Sequence, residues 1–277
     1  SVYPRCISCN GFCKRDTEQK YTNIKLDIRN YFEESKKRTG VRVEDVPIVK
    51  GVRGTSNLDH SCEYLGKGLL RAKYNLHVNK DGTIRYDIQE MPLTQFKPKE
   101  IGTGLEKLKE LGYDKDIEGK ELVNENQVLE IFPHDVILPA CPDTLDEKAD
   151  DIFIKISRFV DEELEKIYGL GKFFNYERKE DMAGGLLGCM APHNCAAVVG
   201  RLIGFSKTQT FLASPYMHAA MRRDCDGDEA AVMLLMDMLI NFSKSFLPAH
   251  RGGTQDAPLV LNARIRAGEV DDMIFDV

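Results

Sequence analysis

The sequence predicts an α+β fold with part of a zinc-ribbon module ahead of it, and three observations support that expectation. RAKYNLHV, NKDG and TIRYDIQEM (71–91) alternate apolar and polar residues around an Asp-Gly turn, the pattern of a β-hairpin. Several other segments repeat apolar residues at helical spacing. Near the start, CISCNGFC places Cys6, Cys9 and Cys13 among turn residues, and Cys-x-x-Cys is half of a zinc ribbon.

The elements follow in order. In IKLDIRNYFEESKKRTG, Ile24, Ile28, Tyr31 and Phe32 fall on one helical face, and Gly40 ends the run. VPIVKGVRGTSN is an extended, glycine-punctuated loop leading to the hairpin. GTGLEKLKELGY predicts a short helix with Leu105, Leu108 and Leu111 inward, and QVLEIFPHDVILP is strand-like. TLDE at 144–147 reads as a capping box for a helix over DDIFIKISRFVDEELEKIYGLG that ends near Gly169. The glycine-rich AGGLLGCMAPHNCAAVVGRLIGF leads to an acidic turn. From Glu229 onward, Val232, Met233, Leu235, Met236, Leu239, Ile240 and Phe242 predict a buried helix stopped near Pro248, with Met233, Met236 and Met238 in the core.

With 277 residues and 42% hydrophobic content the chain can bury a sizeable core, as one large domain or two small ones. No apolar run reaches the ~18 residues of a spanning helix and no signal peptide opens the chain, so a cytoplasmic location without a membrane partner is expected. The net charge of −6 argues weakly against nucleic acid, but basic residues cluster locally, and local patches decide binding. The isolated cysteines at 62, 141, 189, 195 and 225 read as reduced, packed thiols. A complete zinc site needs a fourth ligand, either a distant His60 or Cys62, or a second cysteine pair before residue 1.

The chemistry concentrates in RRDCDGDEAAVMLL. Asp224, Asp226 and Asp228 alternate around Cys225 and Gly227, and like charges at this spacing repel unless a cation lies between them. Gly227 lets the backbone turn sharply. A calcium loop does not fit: counted from Asp224, the glycine falls at position 4 rather than 6, and Leu235 stands where the bidentate acid belongs. Zinc prefers His and Cys ligands. Magnesium suits carboxylates and leaves its remaining positions to water and substrate phosphates. Arg222 and Arg223 beside the carboxylates suit a polyanionic substrate, since guanidinium binds phosphate bidentately. The alternatives are a solvated acidic turn, and arginines that pair with Asp224 or Glu229.

HAAMRRDCDGDEAAVMLLMDMLINFSKSFLP, followed by RGGTQDAPLVL, resembles the catalytic segment of the large subunit of archaeal family D DNA polymerases. The resemblance continues upstream through MAPHNCAAVVGRLIGF, DGTIRYDIQEMPLTQFKPKEIGTGLEKLKELGY and KGLLRAK, and covers nearly all of the chain. The DGD core also resembles the metal loop of multisubunit RNA polymerases. What the resemblance implies is a double-psi β-barrel, the second of two, with helical insertions. It divides the chain into a partial zinc module at 1–20, a helix and linker at 21–60, and a catalytic domain at 61–277. It implies template-directed nucleotidyl transfer by two Mg2+ ions, with primer-template DNA and deoxynucleoside triphosphates as substrates. A small exonuclease subunit and a sliding clamp are its implied partners. Asp226 and Asp228 match the family's metal ligands, and Asp224 matches a position that is often Asn. The chain departs from the family at Met221, often Lys, and at Ala230, often an acid. An RNA polymerase-like nucleotidyltransferase and a non-catalytic, metal-stabilised DNA- or partner-binding scaffold are the rival readings.

Further contacts to DNA or nucleotide are expected from Arg201, His193, Lys67, Arg71 and Lys73, the last three along the DNA backbone. The competing reading is an ordinary core histidine at 193 and a solvated basic face at 67–73. His218 is expected to support the acidic loop.

Overall fold

A computed structural model describes residues 27–42, 63–79, 81–192, 196–242 and 260–262. Cys6, Cys9, Cys13, His60, Cys62 and His193 lie outside the described residues, and so does the loop at 46–57. The chain divides into two units, Ser1–Glu34 and Ser35–Val277. Helix α1 (Ile28–Thr39) falls within the expected helical segment, and Gly40 ends it at φ +68.

The expected hairpin is corrected in its first arm. Leu65–Lys73 forms helix α2, in which Leu69, Leu70 and Arg71 are fully buried. The turn itself is present: Asn79 N–H donates to Thr83 O (2.8 Å) and Gly82 N–H to Asn79 O (2.9 Å). Only its far side becomes a strand, β1 (Tyr86–Pro92), which pairs with strands remote in sequence. Local alternation reports which residues face inward; it does not name the partner strand.

A lobe follows. β2 (Gln95–Phe96), α3 (Pro98–Ile101), the expected α4 (Leu105–Glu110) and β3 (Leu129–Glu130) enclose Phe96, Ile101, Leu108, Tyr113, Leu122 and Leu129. Leu105 and Leu111 pack against this cluster, as the helical spacing predicted. β4 (Asp135–Pro139) is buried at every position. Helix α5 (Ala149–Glu163) buries Phe153, Ile156, Phe159 and Val160, continues as a π-helical turn over Leu164–Tyr168 and stops at Gly169 (φ +67), the expected end. Its capping box is not formed. Lys148 is the N-cap residue and makes no side-chain cap, while Thr144 Oγ1 accepts from Asp146 N–H (3.1 Å) in a turn of its own. Asp150 and Asp151 in the first turn interact with the helix dipole instead.

The glycine-rich stretch becomes β5 (Leu186–Met190) and β6 (Ala196–Ser206), followed by β7 (Phe211–Ala213) and helix α6 (Pro215–Ala220). The helix expected from Glu229 is corrected: Glu229–Leu234 is strand β8, and only Leu235–Asn241 is helical, as α7. The run Ala230–Leu234 is buried throughout because β1 flanks it on one side and β5 on the other. An unbroken apolar run carries no period that separates a strand from a buried helix. Met233 and Met238 are in the core as expected, and Met236 is half-buried. Gly188 admits α7 closely, since a Cβ there would sit 2.0 Å from Met238 Sδ.

Six strands close into a barrel in the order β4-β7-β1-β8-β5-β6, and β6 returns to pair with β4. The β1–β7 and β4–β6 pairs are parallel and the other four are antiparallel. β9 (Val260–Asn262) adds to β6 in parallel. Closure removes the open edges that a sheet of this size would otherwise expose. No helix of the described residues is long and apolar enough to cross a membrane.

A buried polar network braces α2, α5 and α7. Lys67 Nζ meets Glu163 (2.8 Å) and Asn241 (2.6 Å), and Arg71 pairs bidentately with Glu63 (2.6 and 2.8 Å). Asp237 accepts from Ile84 N–H (2.8 Å) and from Asn241 Nδ2 (2.9 Å). Burial pushes the Asp237 carboxyl up to about 7 from 3.8, because desolvation outweighs those hydrogen bonds. A raised carboxyl binds its proton more tightly in the folded state. Its contribution is therefore fully present below about 3.8 and is lost as pH rises toward about 7. Asp237→Asn should flatten the fall in stability across that window, as read by urea unfolding at successive pH values.

Candidate active site

The acidic loop hangs between α6 and β8. Ser214 caps α6 by accepting from Tyr216 N–H (3.3 Å), and Pro215 occupies the first helical position, where no N–H is needed. After Met221 the chain turns through Arg222 at φ +60, a conformation that costs an arginine on the order of 1 kcal/mol. Arg223 N–H donates to His218 O (2.9 Å) at the start of the loop, and Asp228 O accepts from Glu90 N–H (2.9 Å) at its end. Gly227 stands at φ +99, and a Cβ there would lie 2.9 Å from Gln89 Nε2. Gly227→Ala should therefore distort the loop at a cost of roughly 1–3 kcal/mol. The check is manganese affinity measured beside the melting temperature, with affinity falling more than stability.

The sequence expectation that this loop precedes a buried helix is replaced, since the loop runs into β8, a buried strand of the barrel paired with β1 and β5. Asp224, Asp226 and Arg222 are exposed, and Cys225 is partly exposed. Asp228 is 39% exposed and pairs with Arg223 at 3.1 Å, so Arg223 pairs with Asp228 rather than with Asp224 or Glu229. Among the described residues no group of three or more His, Cys, Asp or Glu side chains is gathered to hold a metal ion. The three aspartates share a loop without forming a closed cage. Their donor chemistry nonetheless fits magnesium, which takes one or two carboxylates and fills its other positions with water and phosphate.

Of the other expected contacts, most are committed elsewhere. Arg201 on β6 forms a bidentate pair with fully buried Asp135 (2.7 and 2.8 Å). The hydrogen bond to Asp135 holds the Arg201 guanidinium above its ordinary value despite partial burial. Lys67 is buried against Glu163, and Arg71 is fully buried against Glu63. Burial works against both charges, and the paired carboxylates more than offset it, so both cations are held above their ordinary values. Lys73 pairs with Glu162. Of the three residues expected along DNA, Lys67 and Arg71 are buried and Lys73 is exposed. Helix α2 turns Lys67 and Arg71 toward buried acidic partners, where their charges do not reach a phosphate backbone, while Lys73 pairs with Glu162 near the surface.

His218 is fully buried, and its carbonyl accepts from Arg223 N–H at the start of the loop. Its partner Glu90 was not foreseen: in DIQEM it reads as the polar member of an alternating strand, yet it is 2% exposed. No local signal reveals this, because its side-chain partner His218 lies 128 residues away.

Comparison with known proteins matches residues 42–277 to the family described as DNA polymerase II large subunit DP2, catalytic domain. The chain is similar to the DNA polymerase II large subunit of Nanoarchaeum equitans, 47% identical over 94% of this chain and 22% of that protein. It is 46% identical to the protein of the same name from Pyrococcus furiosus, over 98% of this chain and 20% of that protein. The corresponding figures for Archaeoglobus fulgidus are 43%, 98% and 23%. The chain therefore spans about a fifth of the length of these curated relatives.

Proposed function

The chain belongs to the family of DNA polymerase II large subunit DP2 catalytic domains, and from that premise we propose that it is a catalytic-core fragment of a replicative DNA polymerase. The observation that carries the reading is an acidic loop, hydrogen-bonded at both ends to a closed barrel and its helix, in a chain with relatives of that name. The reaction proposed is template-directed transfer of a deoxynucleotide to a primer 3′-hydroxyl with release of pyrophosphate. Family D, the double-psi topology and the place of this barrel as the second of two rest on the sequence resemblance. So do the small exonuclease subunit and the sliding clamp, whereas a structural zinc on Cys6, Cys9 and Cys13 rests on the Cys-x-x-Cys spacing.

Asp226 and Asp228 are the proposed magnesium ligands, with Asp224 adding charge or orienting water. Bound there, divalent ions supply charge neutralisation at the attacking and leaving oxygens. The protein's own part is positioning: Gly227 turns the loop, and β8 and α6 hold its ends. Arg222, exposed beside the carboxylates, is placed to meet substrate phosphate. Arg223 neutralises Asp228 and is available to exchange that carboxylate for phosphate when a metal takes it.

The scaffold reading draws support from one observation, the absence of a gathered three-acid cluster among the described residues. A manganese-soaked crystal of the full-length protein with primer-template separates the two. An anomalous peak against Asp226 and Asp228 is expected; DNA in place with no ion at those carboxylates would overturn the catalytic reading.

A further inference from the structure

We propose that Glu90 and His218 are positioning residues, a buried clamp that holds both ends of the acidic loop in register for catalysis. The inference deepens the active-site reading and rests on it. His218 Nδ1 lies 2.9 Å from Glu90 Oε2, and Nε2 lies 3.2 Å from both Met91 O and Ala213 O. Two carbonyls can only accept, so Nε2 carries a hydrogen and is shared between β1 and the end of β7. The Phe211 ring meets the imidazole nearly edge-on, with centroids 5.7 Å apart, which fixes its plane. The imidazole is thus oriented by two strands of the barrel.

The same two residues reach the loop through their backbones. The carbonyl of His218 accepts from Arg223 N–H, and the N–H of Glu90 donates to Asp228 O, each at 2.9 Å. One side-chain contact therefore couples the entry and the exit of the segment that carries all three aspartates. Glu90 Oε1 is buried with no hydrogen-bond partner among the described residues. Burying an unsatisfied carboxylate oxygen opposes folding, and an apolar side chain would fill the space without that cost. The carboxylate is thus explained by its contact with His218 rather than by packing.

The test compares Glu90→Leu, which fills the site without a hydrogen bond, with Glu90→Gln, which keeps one. Both are made in the full-length protein. Three readouts are melting temperature, Mn2+ affinity by electron paramagnetic resonance, and kcat and KM for single-nucleotide incorporation. Glu90→Leu is expected to stay folded and lose ~10–100-fold in kcat and several-fold in Mn2+ affinity, the range seen when outer supports of a metal site are removed. KM for the nucleotide should change little, and Glu90→Gln should recover most of the loss. Should Glu90→Leu fail to fold, the double variant Glu90→Leu, His218→Phe makes the comparison, because matched apolar side chains leave no buried carboxylate without its partner. A folded variant with parental kcat and Mn2+ affinity overturns the clamp, as does a loss in which Leu and Gln fall together in step with melting temperature. Unimpaired extension by the double variant Asp226→Asn, Asp228→Asn would instead overturn the active-site reading itself.

Discussion

Replacing Asp226 and Asp228 together by Asn in the full-length protein should abolish primer extension and leave the fold intact. The expected loss exceeds ~10³-fold, since removing one preorganised donor from a charged transition state already costs about 10²–10³. Asn is nearly isosteric with Asp but neutral, so it withdraws the charge that holds a divalent ion without changing the space occupied. Folding should survive because neither side chain lies in the core. Asp226 is exposed, and Asp228 is 39% exposed with a single ion pair to Arg223. A pair of that exposure contributes about 0–1 kcal/mol. Primer extension measured beside circular-dichroism melting decides the matter. Undiminished extension removes the assignment of these residues, and a collapsed melting curve shows that their role is structural.

The second large effect is expected at Arg71, and it is an effect on stability. Arg71→Met should cost about 3–5 kcal/mol, because it removes the bidentate guanidinium from the buried Glu63 carboxylate. For a chain of this size that corresponds to a fall in melting temperature of roughly 6–20 °C. Arg71 Nη2 also donates to Gly82 O (3.2 Å), so the loss extends to the turn ahead of β1. Were Arg71 a DNA contact, the same change would lower the salt dependence of DNA binding and leave melting alone. The two outcomes are read on one sample by thermal melting and by binding isotherms at several salt concentrations. Exchanging both partners, Arg71→Met with Glu63→Leu, should recover much of the lost stability, because matched apolar side chains need no counter-charge.

The contrast between Asp226 and Arg71 shows how legible each kind of feature was. The acidic loop announces itself because its chemistry lies in consecutive residues: three carboxylates, a glycine that the backbone needs at φ +99, and two neighbouring arginines. The short helix at Leu105–Glu110 and the stop at Gly169 were equally local, being set by side-chain period and by a left-handed glycine. Arg71 and Lys67 looked like a basic face because sequence spacing shows charge without showing what meets it. Their partners are Glu63, Glu163 and Asn241, and the last two belong to other helices.

Composition, helical period and turn chemistry thus sufficed for an α+β chain with its acidic loop at residues 224–228, because each depends on neighbours along the backbone. Which runs became strands, and which charged groups were turned inward, followed from closure of the barrel. Ala230–Leu234 is a strand because β1 and β5 supply hydrogen bonds on both sides. Glu90 is buried because His218 arrives from α6 to meet it. A residue's partner across the barrel is a property of the three-dimensional arrangement, and no window of local sequence contains it.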